Sequence, residues 1–507
     1  MKKIIIFFIT FFLLTQMYGQ VFSDVTVEST ITDVQPMTGI VLWTTSPKKN
    51  TDAISLEYSY MLYNQVVSEE GVYDWTVVDN LLNAVASRGH QAILRFRFVY
   101  VGYHTSVPQY IKDLPDYHET EGLSEGQTTW FPDWTHQKLK DFTLEFYTRF
   151  AERYDNDPRL AFLQTGFGLW AEYHIYDGPF VLGQTFPGKA FQAQFLSHLD
   201  SVFLNTPWSI SIDAADETYS PFDIQPDLLQ IRFGNFDDSF MCQQHHWENE
   251  GNWIFFGAER YKTSPAGGEF SYYTDWDQEH VLDLPDGAHG ISYEDFARKF
   301  LISYIIGNDQ PDYQPMERIK EAGLASGYKF WVESFKTAPD SAIVKIKNIG
   351  VGSFYYDAYP AVNGVRATES LKYLAKGEER TFHIAAGGNN PILTIECDRL
   401  VSGQHIDFYG TTYVPVSTKE LAQKDFKFQV YPTCVKIGTD ISITLEETRP
   451  IRGFLNLYSE SGRLIKRQNL LSEDNTLKTS DLSEGVYFLN ITDTATQSAP
   501  KRIVIIR

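Results

Sequence analysis

Between Thr38 and about Gly327 the chain alternates strand-like and helix-like segments, and this repeated change of period constrains the fold more than any other feature. Such alternation marks βα units around a parallel sheet, either closed as a barrel or open and doubly wound. The strands expected are Gly39–Thr45, Leu56–Tyr63, Gln91–Tyr100, Leu160–Trp170, Ser209–Asp213, Leu228–Phe236, a segment ending at Glu269, and Leu301–Gly307. Helical patterns lie between them at Trp75–Ser87, Leu139–Tyr154, Phe191–Leu204, Tyr293–Phe300 and Pro315–Ala325. No fifth helix is legible, and a long loop precedes the seventh strand. Eight such strands predict an α/β chain whose residues 20–330 form a (β/α)8 barrel.

After Gly327 the helical period disappears. Short alternating runs such as Ala342–Asn348, Thr381–Ala385 and Ile392–Cys397, with turns at Asn363-Gly364 and Gly387-Gly388, predict a β-sandwich over residues 331–415. A polar linker at 416–425 leads to a final module, 426–507, with strand-like runs around Val430, Leu457 and Leu489 and turns at Gly462 and Gly485. The architecture expected is therefore a barrel followed by two Ig-like β-sandwich modules. At the other end, Lys2-Lys3, the apolar run Ile4 to Leu14 and the small residue Gly19 form the three-part pattern of an export signal, residues 1–19. That run is short for a bilayer span and no later stretch is long enough, so an integral membrane protein is not expected. Cys242, Cys397 and Cys434 are widely spaced and odd in number, which predicts neither a disulfide framework nor a zinc site.

The 507 residues carry 43 Lys plus Arg against 65 Asp plus Glu, a net charge of −22. Long-range repulsion from polyanions makes nucleic acid a poor partner. Aromatic residues reach 15%. They can fill a large core or offer flat faces on which sugar rings stack, and both uses are open at this point.

A barrel of this kind builds its site at the C-terminal ends of its strands. The polar residues expected there are Arg95 and Arg97 after the third strand, Trp170, Glu172 and His174 after the fourth, Asp213 after the fifth, Asp237 and Asp238 after the sixth, Glu269 after the seventh, and Asn308 and Asp309 after the eighth. Arg95 and Arg97 are two residues apart and so share one side of their strand. In Gly166-Phe167-Gly168-Leu169-Trp170-Ala171-Glu172-Tyr173-His174, glycines allow close backbone approach and aromatic rings surround a carboxyl group, a setting that raises its pKa as a general acid requires. Gly267-Gly268-Glu269 places a second carboxylate on a glycine-rich strand end, with Glu259 competing for the role if the seventh strand is Trp253–Phe256. Two carboxylates from opposite strands are what glycoside hydrolysis needs, one to protonate the departing oxygen and one to attack carbon or activate water. His245-His246 beside Asp237-Asp238 is not expected to hold a metal, because neighbours on an extended loop point to opposite sides. Asp275 to His280 reads as a solvated acidic turn rather than a calcium loop. No phosphate loop, serine elbow or Cys/His pair is present, and no cofactor is expected. Trp130, Trp134, Trp170, Trp247, Trp253 and Trp276 fall in the upper loops and could line a saccharide groove or bury those loops.

Two resemblances add to this reading. Tyr431-Pro432-Thr433-Cys434, Leu455-Asn456-Leu457-Tyr458, Ser461-Gly462-Arg463-Leu464 and Leu482 to Leu489 resemble, in order and spacing, the C-terminal sorting domain of type IX secretion cargo, although its usual opening is Tyr-Pro-Asn-Pro. That implies passage through the periplasm to the outer cell surface or beyond, with the type IX machinery as a partner. Gly71-Val72-Tyr73-Asp74-Trp75, Ala86 to Arg95, the Trp-x-Glu-x-His segment and Gly267-Gly268-Glu269 resemble a family of secreted barrel-plus-sandwich proteins of unknown function that is glycosidase-like. The carboxylate pair is also similar to that of the clan of retaining glycosidases, which would make Glu172 the acid/base and Glu269 the nucleophile. That clan places Asn before its acid/base where this chain has Ala171.

The function expected is a secreted glycoside hydrolase acting on a polysaccharide or oligosaccharide. Glu172 and Glu269 would be catalytic, and Arg95, Arg97, Trp170, His174, Asp213 and Asp237 would bind substrate. Two arginines at the mouth would allow a uronate or sulfated sugar despite the net negative charge. The alternatives are a non-catalytic surface glycan-binding protein with a degenerate barrel, and a structural adhesin.

Overall fold

A computed structural model describes residues 20–245, 249–413, 428–445, 453–459, 464–470, 474–480, 482–493 and 501–506. The proposed export signal, the linker, His246, Trp247 and the Gly462 turn lie outside the described residues. The chain divides into two compact units, residues 1–413 and 414–507.

The first unit contains a closed, all-parallel barrel of eight strands in sequence order. They are β1 (Gly39–Trp43), β2 (Leu56–Leu62), β3 (Gln91–Arg97), β4 (Leu160–Thr165), β5 (Trp208–Ser211), β6 (Gly234–Phe240), β7 (Ala266–Phe270) and β8 (Tyr304–Ile306). The principal helices outside it are α1 (Thr76–Ala86), α2 (Gln137–Tyr154), α3 (Lys189–Val202), α4 (Asn249–Phe256), α5 (Tyr293–Phe300) and α6 (Met316–Leu324). The longer helices lay an apolar stripe on the barrel. In α2, Leu139, Phe142, Phe146, Phe150 and Tyr154 are buried at the spacing of one helical face. Inside the barrel Phe162 and Tyr304 stack with ring centres 5.3 Å apart.

Three expectations about elements are corrected. β6 begins at Gly234, because Pro226–Gln230 forms a short 3-10 turn, so Asp237 and Asp238 lie within a strand and not after it. Trp253–Phe256 belongs to α4, and Glu259 beyond it is an exposed residue paired with Lys262. Asp275–His280 forms a helical turn begun by the Thr274 side chain, with Asp277 buried. Asn363-Gly364 is a tight turn as expected, both residues having positive φ (51° and 79°).

After the barrel come two further sheets of the same unit. One pairs β9 (Phe330–Thr337) with β10 (Ala342–Asn348) and then β12 (Glu379–Ile384); the other pairs β11 (Ala358–Val362) with β13 (Leu393–Cys397). Their apolar residues join Met37, Ile93 and Phe162 of the barrel in one cluster beneath its N-terminal end. Arg399 fastens this junction. Its buried guanidinium donates to the carbonyls of Asp155 (2.7 Å) and Leu160 (3.2 Å) and to Thr206 Oγ1 (3.0 Å), while Gln91 donates to the carbonyl of Arg399 (2.8 Å). The second unit holds a three-stranded sheet and a five-stranded sheet whose inward residues, among them Ile441, Leu457, Leu489 and Ile503, form its own core. Among the described residues no helix is long and apolar enough to cross a membrane, and none of the three cysteines is joined in a disulfide.

Replacing Arg399 by Met removes the donors for three buried acceptors. The first unit should lose about 3 kcal/mol or more of stability, readable by denaturant titration, whereas a loss under about 1 kcal/mol would show that these bonds do not fasten the junction.

Candidate active site

β4 ends at Thr165 and the chain then folds back on itself. The amides of Phe167 and Gly168 donate to the Glu172 carbonyl (3.1 and 2.9 Å), and that of Leu169 donates to the His174 carbonyl (3.1 Å). A Cβ on Gly168 would lie 1.7 Å from the His174 oxygen, so only glycine fits this crossing. Trp170 and Ala171 are both left-handed, with φ of 57° and 55°. Each costs on the order of 1–3 kcal/mol, so the surrounding contacts must hold the loop in place. One is Arg95, whose Nη1 donates to the Trp170 carbonyl at 3.1 Å; another is the Trp170 indole, which donates to the Tyr176 hydroxyl at 3.0 Å. The product of this strained loop is a Glu172 side chain turned into the barrel mouth, 14% exposed.

Arg95 lies deeper than expected. It is fully buried, donates through Nε to Gln164 Oε1 (2.9 Å) and through Nη1 to Asp238 Oδ2 (2.6 Å), and has its guanidinium carbon 4.1 Å from the centre of the Phe236 ring. Gln164 in turn donates to the Tyr304 hydroxyl at 2.8 Å. Arg95 therefore forms the floor of the site, with its charge matched by Asp238. Asp237, next in the strand, points the other way. It is buried behind the barrel, where it meets His245 Nε2 (3.1 Å) and accepts from Asn249 Nδ2 (2.8 Å) and Trp253 Nε1 (3.0 Å). Alternation along β6 thus corrects the expectation that Asp237 binds substrate, and places Asp238 in the mouth instead.

Glu269 stands near the end of β7. A Cβ on Gly268 before it would lie 2.0 Å from the Asp237 carbonyl, and this residue's φ of +156° suits glycine. The Glu269 carboxyl accepts from the Trp43 indole at 3.3 Å, and the Trp43 amide donates to Asn308 Oδ1 at 3.2 Å. Burial pushes the Glu269 pKa well above its ordinary value, and the Asp238 charge pushes it further. Burial likewise raises Glu172, to about 7, against the lowering effect of its contact with His174. His174 Nε2 is 3.1 Å from Glu172, and its Nδ1 is 3.4 Å from Asp213. Burial disfavours charge on this ring, but Asp213 and Glu172 outweigh it and raise His174 to about 9.

Glu172, His174 and Asp213 are also the group of described residues that could hold a metal ion, with one ligand atom from each within 4.8 Å of the others. The two carboxylates, however, approach opposite nitrogens of the ring. A single ion reaches one nitrogen of an imidazole, so this arrangement suits an ion-paired carboxylate–imidazolium–carboxylate set better than chelation.

The structure therefore brings Glu172, His174, Asp213, Glu269, Trp170 and Arg97 to the mouth, puts Arg95 beneath them, and removes Asp237. Sequence reasoning missed Trp43 and a set of tyrosines. Tyr60 and Tyr100 line the wall between Trp43, Arg97 and Trp170, and Tyr103 and Tyr176 extend it as exposed rings. Of the tryptophans expected to line a groove, Trp134 is buried and Trp253 is tied to Asp237.

Comparison with known proteins identifies the tail. Residues 429–506 match the secretion system C-terminal sorting domain, which marks the chain for type IX export to the cell surface or beyond. No curated protein matches. Among solved structures, the galactosidase domain of the α-galactosidase-sucrose kinase AgaSK is 10% identical with a TM-score of 0.33, over 71% of this chain and 56% of that one. The GH36 α-galactosidase AgaA from Geobacillus stearothermophilus is 10% identical with a TM-score of 0.34, over 69% and 55%. PorZ, a surface component of the type IX secretion system of Porphyromonas gingivalis, is 16% identical with a TM-score of 0.13, over 23% and 15%. This chain thus spans little more than half of the galactosidase chains, and at these scores the likenesses carry no argument about chemistry.

Glu172 and His174 hold their protons more tightly when folded. Glu172 then contributes stability that is lost as pH rises from 4.5 through about 7, and His174 contributes stability lost from 6.5 through about 9. The thermal unfolding temperature should fall from about pH 5 to about pH 9, and Glu172→Gln/His174→Gln should flatten that decline; an unchanged slope in the double variant would contradict the coupling.

Proposed function

We propose that the chain is a secreted glycoside hydrolase acting on a polysaccharide or oligosaccharide. The observation that carries this reading is the pair of buried carboxyl groups, Glu172 and Glu269, projecting from opposite sides of the barrel into one electrostatically linked cluster with both pKa values raised. The exposed tyrosines beside them are suited to stack on sugar rings. In this reading residues 1–19 are the export signal, 20–330 the catalytic barrel, 331–415 and 426–507 β-sandwich modules, and 416–425 the linker between them.

The environments of the two groups support a division of roles opposite to that implied by the clan resemblance. Glu172 touches an imidazolium, which favours its ionised form. Among the described residues Glu269 accepts a hydrogen bond from the Trp43 indole and feels the Asp238 charge. Of the two, Glu269 is therefore the group that holds its proton to higher pH, while Glu172 gives up its own at about 7. Glu269 then gives its proton to the departing glycosidic oxygen, while Glu172 attacks the anomeric carbon or draws a proton from water. His174, anchored by Asp213, steadies the charge on Glu172.

Glycan capture without hydrolysis is the competing reading. It is favoured by Ala171, which leaves no side-chain amide at the position before Glu172.

Release of reducing ends from plant, algal and microbial polysaccharides tests the reading, with Glu172→Gln and Glu269→Gln in parallel. The parent should be active, and both variants should fall by about 10² or more on natural glycans. On aryl glycosides, whose leaving group departs without protonation, Glu269→Gln should keep most of its rate and Glu172→Gln should not. The reverse pattern restores the order implied by the clan, and binding without cleavage by the parent transfers the protein to the capture class.

A further inference from the structure

The network at the barrel floor leaves one cation unspent. Arg95 is matched by Asp238, but Arg97, two residues further along β3 on the same side and half-buried, is not. Among the described residues its guanidinium makes no ion pair and no hydrogen bond, and its Nε is enclosed without a partner. Its one close neighbour is an aromatic face. The guanidinium carbon lies 4.0 Å from the centre of the Tyr100 ring, with Tyr60 and Tyr103 at 5.9 and 6.0 Å.

A cation–π contact of this kind holds the guanidinium in place while using none of its N–H groups as donors to an oxygen or nitrogen acceptor. Leaving them without an acceptor in a partly desolvated site is costly, and an oxyanion with two acceptors removes that cost. Position gives the same answer. Tyr100 bridges Arg97 to Trp170, whose ring centre is 4.4 Å from its own, so the free donors lie beside the loop that presents Glu172. Elsewhere in the mouth the carboxylates Glu172, Asp213 and Asp238 outnumber their cations His174 and Arg95, and they repel an anionic sugar unless a further fixed cation offsets them.

We propose that Arg97, held over the Tyr100 ring, is the anchor for an acidic substituent, a carboxylate or a sulfate ester, on the sugar bound at this mouth. The proposal rests on the glycan reading of the site, but it concerns recognition and not cleavage. Tyr100 acts as a positioning residue for the guanidinium.

The test is calorimetric binding by the full chain of uronic-acid oligosaccharides and sulfated galactan oligosaccharides, each beside its carboxyl-reduced or desulfated counterpart. An acidic member should bind at least tenfold more tightly than its neutral counterpart, and the set in which this happens identifies the anion. Arg97→Gln should bring the acidic glycan down to the affinity of the neutral one, and Arg97→Lys should keep part of the preference. Binding of the neutral counterpart by each variant reports that the site is folded. Equal affinity for both members, a preference that survives in Arg97→Gln, or no binding of any acidic glycan overturns the proposal. An acidic glycan bound with the Arg97-dependent preference but left uncleaved upholds this inference and defeats the hydrolase reading. Cleavage of neutral glycans with kinetics unaltered in Arg97→Gln does the opposite.

Discussion

The arginine buried in the barrel, Arg95, is the constraint from which the rest of the site follows. A guanidinium with no access to water must find acceptors for its donors and a counter-charge, or it destabilises the fold by several kcal/mol. Gln164, Asp238 and the Trp170 carbonyl supply them. Each of those partners then does something further. Gln164 reaches Tyr304 across the barrel, Asp238 becomes a fixed negative charge in the mouth, and Trp170 is held in the left-handed conformation that turns Glu172 inward.

Asp238 in turn sets the protonation of its neighbours. Burial raises Asp238 as well and Arg95 opposes that rise, while the Asp238 charge adds to the raised values of Glu269 and Glu172. Glu172 is relieved by His174, which Asp213 keeps charged. Glu269 is relieved by the Arg95 charge and the Trp43 indole. One buried ion pair thus separates two chemically identical side chains into a group that keeps its proton and a group that sheds it, the asymmetry acid–base catalysis requires.

Much of the barrel was legible because its strands are apolar on both faces and its helices carry a clear stripe. The positions of Glu172 and Glu269 followed from strand order and flanking glycines, whose role at Gly168 and Gly268 is a backbone crossing that a Cβ would block. β6 was misplaced because its C-terminal half, Asp237-Asp238-Ser239, is polar and reads as a loop. It remains a strand because Asn249, Trp253 and His245 satisfy Asp237 from α4 and the turn before it, contacts invisible to local periodicity. Trp43 and Glu269 are 226 residues apart, and no local pattern links an indole to its distant acceptor. The distinction between Arg95 and Arg97 was equally hidden, since both lie on one side of β3 and only the location of Asp238 decides which of them is neutralised. Tyrosines proved more informative than tryptophans at the rim, because Trp134 and Trp253 were drawn into burying the loops.

The account's central claim is that Glu269 keeps its proton to higher pH than Glu172, which loses its own at about 7. Infrared difference spectroscopy of the full chain, with each glutamate replaced by glutamine in turn, reads this directly. A protonated-carboxyl band that outlasts the titration of Glu172 as pH rises above 7, is lost in Glu269→Gln and persists in Glu172→Gln is the predicted result. Absence of any such band, or its loss in Glu172→Gln alone, would contradict the account.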